Sequence, residues 1–102
     1  MNTQAVGRKL GFQVADYAKK YGYGIGSFRL KDGSSVKILQ NADKNMVELW
    51  NVQNGRLLGL KGYKGKESVF EAQQAVCRLE NLAENPEELT SAWAQSLYKS
   101  SL

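Results

Sequence analysis

The sequence predicts an α+β fold: an N-terminal helix, an antiparallel meander of three to four strands, and two C-terminal helices. Three observations carry that prediction. Apolar residues recur at spacings of three and four before residue 22. Four short apolar runs between residues 25 and 61 are joined by Asp32-Gly33, a polar turn at 41–45 and Asn54-Gly55. Two helix-start signals follow, at Ser68 and at Asn85. With 102 residues, the chain is expected to form one domain over 1–102. Its 42% hydrophobic and 24% charged content is that of a globular chain and argues against disorder.

Residues 4–21 read as the first helix. Val6, Leu10, Val14, Tyr17, Ala18 and Tyr21 make its apolar stripe, Asn2 or Thr3 caps its start, and Gly22 ends it. Gly7 and Gly11 each cost a helix roughly 1 kcal/mol, which close packing on that face would offset. The strands are expected around 25–31, 35–40, 46–52 and 56–61. Asn-Gly and Asp-Gly suit the tight turns because both central residues of a type I′ turn need positive φ. The second helix opens at Ser68, with Glu71 completing an S-x-x-E capping box. Val69, Ala72, Val76, Leu79 and Ala83 form its stripe. Asn85-Pro86-Glu87-Glu88 caps and starts the last helix, on which Leu89, Trp93 and Leu97 lie four apart.

Several chemistries are excluded by composition. Histidine is absent, so no Ser-His or Cys-His pair and no His-ligated metal is available. The one cysteine, Cys77, allows no intrachain disulfide and no zinc cluster, and its mid-helix position reads as a buried, inert thiol. The glycine run at 21–26 has helix before it and strand after it, the reverse of a dinucleotide-binding loop. The lysine run is no Walker loop, because Leu60 and Glu67 stand where that motif needs Gly and Ser or Thr. No enzymatic activity, metal or cofactor is therefore expected. No apolar run approaches the ~18 residues of a membrane span, and the N-terminus carries no apolar signal core. A cytoplasmic location is the expectation.

Charge supplies the positive signal. Residues 1–66 carry twelve Lys and Arg against four Asp and Glu, net +8; residues 67–102 carry two against six, net −4. A basic front of this kind points to a polyanionic partner. Its densest part is residues 61–67, where Lys61, Lys64 and Lys66 alternate with Gly62, Tyr63 and Gly65 directly before a helix. Lysines supply charge there, glycines permit close approach, and Tyr63 can stack. Arg56, Lys37 and Arg29 on the neighbouring strands complete the expected nucleic-acid-binding set.

The order helix, strands, lysine-rich segment, helix is similar to the plan of double-stranded-RNA-binding domains, where a basic loop opens the last helix. The run from Arg56 to Val76, with Glu71, Ala72 and Ala75 in its helix, resembles the sheet-reading DNA-binding domains of plants. Both resemblances lie at the level of fold plan and imply a nucleic-acid ligand. Four strands are expected here where those domains have three, and no GxGxSKK-like string occurs. The first expected function is thus a small binding protein that contacts nucleic-acid phosphates through a basic sheet and the 61–67 segment. The alternative is a protein-interaction module (an inhibitor, adaptor or subunit) that docks a protein partner or a second copy through its C-terminal helices, with Trp93, Leu97 and Tyr98 as the contact residues and Leu102 beyond them. Trp50 shares a strand with Leu49 but faces the other side, so both are buried only if helices cover both faces of the sheet.

Overall fold

The structure, a computed structural model, describes residues 7–98. Five strands form one antiparallel sheet: β1 (Arg8–Lys9), β2 (Gly24–Arg29), β3 (Ser35–Asn41), β4 (Met46–Gln53) and β5 (Arg56–Lys64), in the spatial order β1-β5-β4-β3-β2. The helices are α1 (Val14–Tyr21), α2 (Ser68–Cys77) and α3 (Glu87–Ser96). The α+β class and the three α-helices match the sequence reading, but the described residues form five strands and not three to four.

Of the two Xaa-Gly turns, only Asn54-Gly55 has the backbone expected of a type I′ turn; Gly33 takes positive φ (93°) but Asp32 does not. Asn54 and Gly55 both take positive φ, 52° and 75°, and so close a tight hairpin whose twist matches the strands. At the other turn, Asp32 accepts bonds from the Ser34 amide (2.8 Å) and hydroxyl (2.6 Å), which hold its carboxyl below the usual range. Gly22 ends α1 in the left-handed region, with φ 79°.

Both sheet faces are covered, which settles the Leu49–Trp50 question. On one face α2 and α3 pack Ala72, Val76, Leu89 and Ala92 onto Phe28, Val36, Ile38 and Val47, with Leu49 and Tyr63 at the margin. On the other, α1 packs Val14 and Ala18 onto Leu39 and Trp50, beside Tyr23. Trp50 is only 4% exposed. Glycines set the distance of α3 from the sheet. A Cβ on Gly24 or Gly26 would overlap backbone carbonyls of Ser96 and Ala92 respectively, so the glycine run is a packing surface for a helix.

Five expectations are corrected. The first helix does not run over 4–21. Arg8 and Lys9 pair with Leu57 and Arg56, and Leu10 donates its amide to Gly55, so Leu10 reaches the core from a connection and the helix begins at Val14. Val6, Asn2 and Thr3 lie outside the described residues. Strand β5 continues to Lys64 because β4 starts at Met46 and pairs with it. Lys61, Tyr63 and Lys64 are therefore strand residues, and the connection to α2 shrinks to Gly65, Lys66 and Glu67. Ser68 does not cap α2: its hydroxyl donates to the Asn45 carbonyl at 2.9 Å, and Glu67 occupies the cap position without a side-chain bond. Cys77 is exposed and not buried, because α2 ends there and Leu79 and Ala83 turn back to the core without it. The Asn85 signal marks the start of α3 one residue early: Pro86 takes the cap position and the helix begins at Glu87, whose amide donates to the Asn85 side chain at 3.1 Å.

Candidate nucleic-acid interface

Strand β5 lies toward the edge of the sheet. Strand β1 pairs only with Arg56 and Leu57, so residues 59–64 have no strand partner on their outer side among the described residues. Alternation then sorts the basic side chains. Lys61 pairs with Leu49 on the α2 face, with its Nζ 5.8 Å from the Tyr63 ring centre. Lys64 pairs with Met46 on the α1 face. The two lysines straddle an exposed edge, as edge lysines commonly do to oppose strand-to-strand aggregation. On the α2 side an open groove of about 610 Å³ is lined by Lys61, Tyr63, Lys64, Gln74 and Arg78, with Glu71 the one acid on its wall.

Two asparagines gather further cations at this end of the sheet. The Asn41 amide donates to the Tyr21 carbonyl at 3.5 Å, and its oxygen accepts the Lys44 amide at 3.2 Å. Asn45 sits in the left-handed region (φ 52°), and its carbonyl accepts both the Gly65 amide (3.0 Å) and the Ser68 hydroxyl (2.9 Å). These bonds tie together the end of α1, the short 3-10 turn Ala42–Lys44 and the connection into α2. Lys20, Lys44 and the Lys64–Lys66 pair come from three separate places in the sequence and lie at one end of the fold, interrupted by Asp43 and Glu67. Lys20 and Lys44 were not singled out in the sequence, because only the sheet register and these side-chain bonds bring them beside the 61–67 segment.

The rest of the expected basic set lies elsewhere. Arg56 starts β5, opposite Lys9 and five residues from Lys61, roughly 16 Å along the strand. Arg29 is on β2, three strands from β5, and its Nε is 3.2 Å from the Glu84 carboxylate. Lys37 is on β3, with its ammonium donating to the Ser27 hydroxyl at 3.1 Å. Of the protein-contact residues, Trp93 is half-buried against the core and lines a small apolar pocket of about 110 Å³ with Val76, Cys77 and Leu89. Leu97 and Tyr98 are exposed at the end of α3, and Leu102 lies outside the described residues.

On the α1 face a polar network went unnoticed in the sequence. The Glu48 carboxylate accepts hydrogen bonds from Tyr23 Oη (2.7 Å), Trp50 Nε1 (2.8 Å) and, at 3.3 Å, Tyr17 Oη. Burial, and after it the nearby carboxylate, push the Tyr17 and Tyr23 hydroxyls above the ordinary phenol range. The Tyr17 ring is the hub of an aromatic cluster, with Phe12 at 5.8 Å, Tyr21 at 4.9 Å, Tyr23 at 5.9 Å and Trp50 at 5.1 Å between ring centres.

No group of three or more Cys, Asp or Glu side chains suited to a metal ion occurs among the described residues, and no helix among them is long and apolar enough to cross a membrane. Comparison of the chain with family models, curated proteins and solved structures finds no significant match.

Proposed function

We propose that this chain is a small, non-enzymatic binding protein that contacts nucleic-acid phosphates along the C-terminal half of β5. The observation that supports this reading is the convergence of Lys44, Lys64 and Lys66 with Lys61 around one exposed strand edge, held by the Asn41 and Asn45 bonds. Lysines on both sides of an edge can follow a phosphate backbone that runs along it. Lys61 Nζ lies 5.8 Å from the Tyr63 ring centre, so Tyr63 orients a cation at this edge. Arg78 extends the charge across the groove from α2.

Fluorescence anisotropy with labelled oligonucleotides over a range of salt concentrations tests the reading. Four phosphate contacts give a log K against log salt slope of about −3.6 on duplex DNA, or about −2.8 on a single strand. Replacing Lys64 and Lys66 with Ala reduces the slope by about 2 and weakens unrelated sequences equally, because phosphate contacts carry no base information. No binding at tens of micromolar protein in low salt sinks the proposal. The second reading, docking of a protein partner on the C-terminal helices, is favoured by one observation, the exposure of Leu97 and Tyr98 at the end of α3. It takes precedence if no oligonucleotide binds.

A further inference from the structure

We propose that the cleft between Phe12, Tyr17 and Tyr21 holds an unpaired base of a single-stranded nucleic acid whose phosphates meet the adjoining lysines. This inference rests on the phosphate-binding reading above and names its ligand as single-stranded. The cleft, about 420 Å³, is lined by Phe12, Asp16, Tyr17, Lys20 and Tyr21. Phe12 and Tyr21 are 46% and 51% exposed, although the sheet directly beneath them buries Trp50 and Tyr23 almost completely. Exposed ring faces beside a filled aromatic core form a surface on which a flat apolar ligand can stack.

The platform is stiff. Tyr17 is fixed from behind by its bond to Glu48 and by lying nearly parallel to Tyr23, with an interplanar angle of 11°. With four rings already against it, Tyr17 forms the fixed back wall of the cleft, and the exposed Phe12 and Tyr21 supply the faces on which a base stacks. Charge places the two parts of a nucleotide. Asp16 in the cleft repels a phosphate but can accept a hydrogen bond from the exocyclic amino group of a base. Lys20 stands beside it, its Nζ 5.5 Å from the Tyr21 ring centre. The Tyr21 carbonyl accepts from Asn41, whose side chain also accepts the Lys44 amide, so the aromatic cleft and the lysine end are joined through one residue. A duplex hides its base faces inside the stack and cannot use such a cleft.

The test is anisotropy at low salt with three labelled probes of equal length: a single-stranded oligoadenylate, the same strand with abasic sites, and a duplex. The oligoadenylate is expected to bind at least tenfold more tightly than the abasic strand, a comparison that needs no variant. Tyr21→Ala with Phe12→Ala should weaken the oligoadenylate by roughly 5- to 150-fold for each stacked base, and leave the abasic strand unchanged. Circular dichroism checks that the double variant is folded. Equal binding of the oligoadenylate and the abasic strand overturns the base cleft and leaves the phosphate reading standing. Duplex bound more tightly than single strand also overturns it. Binding of no probe overturns both.

Discussion

The Tyr23 hydroxyl, from the residue just before β2, donates at 2.7 Å to Glu48 on β4, a strand that is not β2's neighbour in the sheet. With the Trp50 indole donating to the other carboxylate oxygen, Glu48 satisfies two donors whose residues are each 4% exposed. A carboxylate suits the position because it is all acceptor and can face several donors at once.

Removing the acceptor therefore strands donors. Glu48→Ala is expected to destabilise by about 2–4 kcal/mol, since each buried unsatisfied donor costs ~1–3 kcal/mol. Glu48→Gln should cost less, but more than nothing, because its NH₂ must face a donor. Urea unfolding followed by Trp fluorescence measures both. An unchanged midpoint for Glu48→Ala would show that water replaces the carboxylate freely.

The same network sets an alkaline limit. The folded pKa of Tyr23 and that of Tyr17 lie above the unfolded value of about 10. A raised pKa in the folded state contributes stability that is complete below pH ~10 and is lost as pH climbs toward the folded value. Absorbance titration at the phenolate band should show two tyrosines ionising late, and stability should fall from about pH 10 upward. Tyr23→Phe should remove part of that alkaline slope. All tyrosines titrating together near 10 in the folded protein would refute the network.

Gly26→Ala tests how α3 is seated. Its Cβ would meet the Ala92 backbone, which cannot swing aside as a side chain can. The expected cost is about 3 kcal/mol or more, at or beyond the upper end for overpacking. Gly59→Ala, on the open part of β5 with nothing near the added methyl, should change stability by less than about 1 kcal/mol. Equal thermal midpoints for the two variants would mean that α3 lies farther from β2 than described.

Cys77 is exposed at the end of α2. One thiol per chain should react with a chromogenic disulfide reagent without denaturant. A thiol that reacts only after unfolding would restore the buried position that helix periodicity suggests.

How much was legible in the sequence follows from how local each signal is. The two Xaa-Gly turns, the Gly22 stop, the Asn85 start and the alternation in the strands all depend on a few adjacent residues. By itself the sequence determined the α+β class, the three helices and the absence of histidine chemistry. Helix start at Val14, the length of β5 and the exposure of Cys77 depend on partners distant in sequence: Leu57 and Arg56 capture Arg8 and Lys9, and Met46 captures Lys64. Ser68 shows the competition plainly, since a local capping pattern loses to a carbonyl 23 residues away. The candidate site is divided in the same way. Lys61, Lys64 and Lys66 stand out as a run, but Lys20 and Lys44 join them, and the aromatic cleft forms, only once the sheet register and two asparagines bring distant segments together. Charge density is a property of neighbours along the chain; the shape of a binding surface is a property of neighbours in space, and only the tertiary structure decides those.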